Sequence, residues 1–162
     1  MLNTNDFIED IKAYLKEKVV ALDSNFKDLE TYTAYTYEHT PKAPEIDVYI
    51  NDDSDDTNSN SFYEGENVSS ISLNIYCYAE AMKLNGSSSK ANAVDTTNLL
   101  AQRVKEAMLK NNLLENNKNI ISSTRTSYTG AMNVRDTVLY VAIFRYDIKV
   151  INNYEKIYNK GE

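Results

Sequence analysis

The 162 residues include one cysteine, one histidine, two prolines, four glycines and no tryptophan. A single thiol cannot close an internal disulfide. One Cys with one His cannot build a zinc or iron–sulfur site unless carboxylates or a second subunit complete the ligand set. No run of Lys or Arg occurs, and 17 basic against 24 acidic residues leave a formal net charge of −7. That balance excludes the concentrated positive face on which a nucleic-acid binder depends. No stretch approaches the ~20 apolar residues that span a bilayer. The first residues carry Asp6, Glu9 and Asp10 where a secretory signal is basic and then apolar. These absences read as a soluble protein kept in a reducing cytoplasm. A chain of this length holds one core, burying roughly 70% of the surface of its unfolded form.

What is present is organised by periodicity. Ile8, Ile11, Leu15, Val19 and Leu22 recur at three- and four-residue spacing, which predicts an amphipathic helix over about 6–22, with Asp6 and Glu9 placed as a capping box. The period then becomes two. Thr31–Tyr37, rich in β-branched and aromatic residues, and Ile46–Ile50, with Ile46, Val48 and Ile50 on one face, read as strands separated by a loop holding Pro41 and Pro44. Residues 51–61 contain no apolar side chain and read as a solvated acidic loop. Val68–Tyr78 alternates again, with Ile71, Leu73, Ile75 and Cys77 facing inward and Tyr76 and Tyr78 on the other side.

A second helix is expected over about 90–114, its stripe running through Val94, Thr97, Leu100, Ala101, Val104, Ala107, Met108 and Leu114. The last third reads as a long hairpin over about 120–151, turning at Thr129–Asn133, followed by a short tail, 152–162. The expectation is a single α+β domain spanning 1–162: a mostly antiparallel sheet, two helices packed on it, and a long C-terminal hairpin.

Few residues carry recognisable chemistry. Asp53, Asp55, Thr57 and Glu64 fall at positions 1, 3, 5 and 12 of an EF-hand loop, but position 6 is Asn58 where the motif has glycine, and the flanks read as strands. A solvated acidic loop is the alternative. Ser87 and Lys90 form a Ser-x-x-Lys at the start of the expected helix, without the companion elements of a Lys-activated serine enzyme, and helix capping accounts for it. His39 lies in the Pro-containing connection with no nucleophile near it in sequence, and reads as a loop histidine. Cys77 reads as a buried small apolar residue. No GxGxxG, GxxxxGK or HExxH occurs. The chain reads as a non-enzyme with no cofactor and no resident metal.

Thirteen tyrosines are a more telling feature. Tyr35, Tyr37, Tyr76, Tyr154 and Tyr158 fall on outer faces or in the tail, and amphipathic aromatics in such places are typical of subunit interfaces. Arg125 and Arg135 flank the expected turn, where they could face each other; they read either as ordinary strand-face solubility, paired with Asp136, or as a contact to an acidic patch on a neighbouring subunit.

The element order resembles that of a known family. The N-terminal helix, Pro-Glu-Ile-Asp-Val-Tyr-Ile at 44–50, Ser-Ile-Ser-Leu-Asn-Ile-Tyr-Cys-Tyr at 70–78, Asn-Ala-Val-Asp-Thr-Thr-Asn-Leu-Leu at 92–100, and Val-Leu-Tyr-Val-Ala-Ile-Phe-Arg-Tyr-Asp-Ile at 138–148 carry the likeness. Over about Asp6–Val150 the chain resembles the tail terminator, or tail-completion, proteins of tailed phages and phage-derived contractile bacteriocins. The resemblance implies a ring, hexameric in the expected case, that caps the tail tube, stops its polymerisation and offers a docking surface to the neck or head. Its partners would be further copies of itself, the tube and sheath proteins and a neck or head-completion protein, with no sequence-specific nucleic acid and no membrane. Its place would be the virion tail or bacteriocin particle, and the host cytoplasm during assembly. Six copies at −7 each would give such a ring an acidic channel that repels DNA. The competing expectation is a small cytoplasmic binding module, calcium-dependent through the Asp-rich loop.

Overall fold

A computed structural model describes residues 4–33, 39–55, 66–85, 90–117 and 119–153. Helix α1 (Thr4–Leu22) leads through a short 3-10 turn to β1 (Glu30–Thr33) and then β2 (Glu45–Asp55). After β3 (Glu66–Ala79), the two-residue strands β4 (Met82–Lys83) and β5 (Lys90–Ala91) pair with each other. Helices α2 (Ala93–Ala107) and α3 (Lys110–Asn116) follow, and strands β6 (Ile120–Asn133) and β7 (Tyr140–Asn153) close the chain. The main sheet has the order β1-β2-β3-β7-β6, with β1 parallel to β2 and every other pair antiparallel. This is the α+β class that the periodicity predicts.

Alternation decides which side of the sheet is inside. Ile46, Val48, Ile71, Leu73, Ile75, Cys77, Ala142, Phe144, Tyr146 and Ile148 project from one face into a core. There they meet Phe7, Ile11, Leu15 and Val19 of α1 and Leu100, Ala101, Val104 and Ala107 of α2. The Tyr14 hydroxyl donates to the Ala107 carbonyl at 2.6 Å, tying α1 to the end of α2. Arg103 reaches from α2 to Asp23 in the turn after α1 at 3.1 Å. All the helices therefore pack on one face, and no described helix covers the other.

Several expectations are corrected. The first helix begins at Thr4, so Asp6 lies within its first turn and does not cap it. Glu9 pairs forward with Lys12 at 3.1 Å instead of closing a capping box. The helix expected over 90–114 is two. Lys90 belongs to β5, and the α2 cap is Asn92, whose side chain accepts from Asp95 N at 2.8 Å; Ser87 lies outside the described residues. The break falls at Met108 and Leu109, where the backbone turns extended (φ −60, ψ 139 at Leu109). The Asn112 amide donates to the Glu106 carbonyl at 2.7 Å, satisfying an oxygen that the ended helix leaves open. Val94, counted in the apolar stripe, is exposed.

The acidic stretch from Asn51 to Asp55 is the end of β2, not a loop. A register shift between Ile50 and Asp52 lets pairing continue from Asp52 opposite Ser72 to Asp55 opposite Ser69. Ladder bonds join backbone groups, so strand pairing can run on through side chains that hydropathy marks as loop. The hairpin turn is Val134–Leu139, where the Val134 amide donates to the Leu139 carbonyl at 2.9 Å and Asp136 takes φ 56. Thr129-Gly130 is a register irregularity inside β6. A glycine marks a bulge as readily as a turn.

Candidate functional site

The face of the sheet away from the helices divides into two halves. One is polar: Ser70, Ser72, Ser122, Thr124, Arg145, Asp147 and Lys149 line a shallow groove of about 420 Å³, in which Arg145 Nε donates to Ser72 Oγ at 3.2 Å. The other is apolar and aromatic, built by two cross-strand rows. Asp47, Tyr76, Ile143 and Thr129 form one, and Glu45, Tyr78, Val141 and Met132 the next. Tyr76 and Tyr78 stack at 6.4 Å, while Met132 and Tyr49 are exposed.

Two carboxylates are buried at the β1 end of these rows. Glu45 and Asp47 are each 4% exposed. Both project from the outer face because Ile46 and Val48, between and beyond them, take the inner one. His39, in the connection before β2, lies with Nε2 2.8 Å from Glu45 Oε2. Its ring stacks on Tyr32 of β1 at 3.6 Å with an interplanar angle of 10°. Tyr32 is the register partner of Asp47, so β1, the connection and β2 converge on one point. The Lys42 amide donates to Glu45 Oε1 at 3.5 Å. The donor atoms of His39, Glu45 and Asp47 lie within 4.8 Å of one another, the only such trio among the described residues.

Two negative groups so close and so shielded cannot both stay ionised at no cost. Burial first, and then the neighbouring Glu45, push the Asp47 carboxyl up to about 8. Burial, and then the charge of Asp47, push the Tyr78 hydroxyl up to about 12. Asp47 Oδ1 is fully buried and has no hydrogen-bond partner among the described residues. The other such atom, Thr33 Oγ1, belongs to a residue paired with the inward Val48.

Of the residues singled out by sequence, Tyr76 lies on the outer face as expected. Tyr146, in step with Phe144 and Ile148 on β7, is 4% exposed and belongs to the core. Arg125 and Arg135 are both exposed but do not face each other: Arg125 sits opposite Tyr146 in the middle of β6, and Arg135 lies in the turn. Asp53 and Asp55 stand on β2, opposite Ile71 and Ser69. There the backbone is extended, with alternate residues ~6.7 Å apart, and the remainder of the calcium-loop candidate lies outside the described residues. Thr57, Glu64, Tyr35, Tyr37, Tyr154 and Tyr158 lie outside the described residues. Glu45 and Asp47 were missed, although two carboxylates at alternate positions of an apolar strand, six residues after the lone histidine, are a readable signal. No protein-family model and no curated protein matches this chain.

Proposed function

We propose that the chain is an assembly subunit of a phage or phage-like tail, forming a ring that caps the tail tube and stops its growth, the role its resemblance to tail terminators implies. The observation that carries this reading is the edge of the sheet. Strand β6 runs 14 residues along it with Thr124–Gly130 all exposed, beside an outer face on which Tyr76, Ile143 and Met132 meet no described helix. A long unpaired edge is a template for another strand or surface. A contact between that edge and a different patch of the next copy is heterologous, and closes into a ring when its rotation divides the circle. Mid-strand Arg125 and tip Arg135 offer cations to neighbours that are acidic overall. No observation favours the binding-module alternative: Asp53 and Asp55 stand on β2, and the rest of its candidate calcium loop lies outside the described residues.

The test is electron microscopy and native mass spectrometry of the purified chain over a concentration series. Gold-labelled antibody on tail-like particles from the source cells complements it. Closed rings, or label confined to one end of the tube, are expected. A chain that stays monomeric throughout and labels no particle would overturn the reading.

A further inference from the structure

The trio at the β1 end of the sheet has a geometry that the assembly reading does not use. We propose that His39, Glu45 and Asp47 form a binding site for one divalent first-row transition ion, for which Zn²⁺ is the probe. The inference is independent of the ring. Four observations carry it.

The donors are pre-gathered: one imidazole nitrogen and two carboxylate oxygens lie within 4.8 Å of one another. Ligands about 2.1 Å from a tetrahedral ion sit about 3.4 Å apart, so donors within 4.8 Å of one another need to draw in by no more than about 1.4 Å to close the site. The His39 to Glu45 contact, at 2.8 Å, is already closer than that.

The burial sets two carboxylates side by side with His39 as the one described ion-pair partner of Glu45. Glu45 and Asp47 are both 4% exposed, and no Lys or Arg of the described residues ion-pairs with either. Buried charges are ordinarily paired or coordinate a metal.

One polar atom is unaccounted for. Asp47 Oδ1 is buried and unpartnered, and its carboxyl belongs to the trio, where an ion would give that oxygen the partner it lacks.

The histidine is oriented from outside the trio. Tyr32 stacks flat on its ring at 3.6 Å, fixing the imidazole plane with Nε2 directed at the carboxylates.

The donor set selects the ion class. Imidazole suits zinc and its transition-metal neighbours, whereas calcium and magnesium take oxygen ligands in larger number. Three protein ligands leave a fourth position for water. Because His39 comes from the connection and the carboxylates from β2, the ion would pin residues 39–44 against the sheet. It would raise thermal stability through binding only the folded state.

His39 is the only histidine, which makes the test direct, provided the chain carries no histidine tag. EDTA-treated protein is titrated with ZnCl₂ while calorimetry, the thermal midpoint and the single imidazole proton signal are followed. One ion per chain, a raised midpoint and a shifted imidazole signal are expected. H39Q, which keeps a donor toward Glu45, and the near-isosteric D47N should each weaken binding by at least about tenfold, the lower bound for disturbing even an outer ligand partner. The wild-type imidazole signal decides the matter even if a variant fails to fold. An imidazole signal that does not move at saturating Zn²⁺ overturns the proposal. Binding that survives H39Q and D47N but disappears in the double variant D53N/D55N overturns it as well, assigning the ion to the acidic end of β2.

Discussion

Cys77 and Asp47 lie one register step apart on neighbouring strands and point to opposite faces, and their chemistry diverges accordingly. Cys77, opposite Ile46 and fully buried, has its thiol pushed well above the ordinary range by burial and then by the charge of Asp47. Thiolate is the reactive form. Iodoacetamide should therefore leave the native chain unmodified and label Cys77 only in denaturant, as read by intact mass. Asp47 bears on stability. Its ordinary value in an unfolded chain is about 3.9, and in the fold it is pushed up to about 8, so the folded state holds the proton more tightly. The stabilisation is complete below the lower value and is lost as pH rises through the higher one. In EDTA, the wild type should lose thermal stability between about pH 5 and about pH 8.5, and Asp47→Asn should flatten that slope. An unchanged slope in the variant would show that other groups set it.

Among the elements, the helices show where a pattern reports burial and where it does not report continuity. Leu100, Ala101, Val104 and Ala107 take the inward face that their spacing predicts, yet the helix ends at Ala107 because Leu109 turns extended and Asn112 takes up the Glu106 carbonyl. No hydropathy period registers such a backbone event. The start of α2 depends on Asn92 accepting from Asp95 N. Asn92→Ala should cost about 1 kcal/mol in urea denaturation, the usual loss for an N-cap side chain. Strand β2 shows the complementary limit. Its apolar half was legible in Ile46, Val48 and Ile50, while its acidic half, paired with Ser72 through Ser69, was not, since polar side chains leave a ladder's backbone bonds intact.

For the molecule as a whole, the asymmetry of the sheet among the described residues matters most: helices on one face, a banded face that none of them covers on the other, and a 14-residue edge in β6. Arg125→Glu in the middle of that edge changes an exposed side chain opposite the core residue Tyr146, so monomer stability should fall by about 1 kcal/mol or less. If β6 is the contact between copies, the same change should abolish assembly in native mass spectrometry. Assembly that is intact in the variant would move the contact elsewhere on the surface.

Alternation and helical spacing determined the fold class, the inward face of β3 and α2, and the burial of Cys77, because each of those is a local period read against one core. Only the tertiary structure decided that β1 lies parallel to β2 and that Arg125 and Arg135 stand apart. Register between distant strands is set by which backbones meet, and no local period encodes it. The same holds for the scarcity noted at the outset. The count of one histidine and one cysteine left room for a metal site only if carboxylates joined in, and it took the pairing of β1 with β2 to bring Glu45 and Asp47 beside His39.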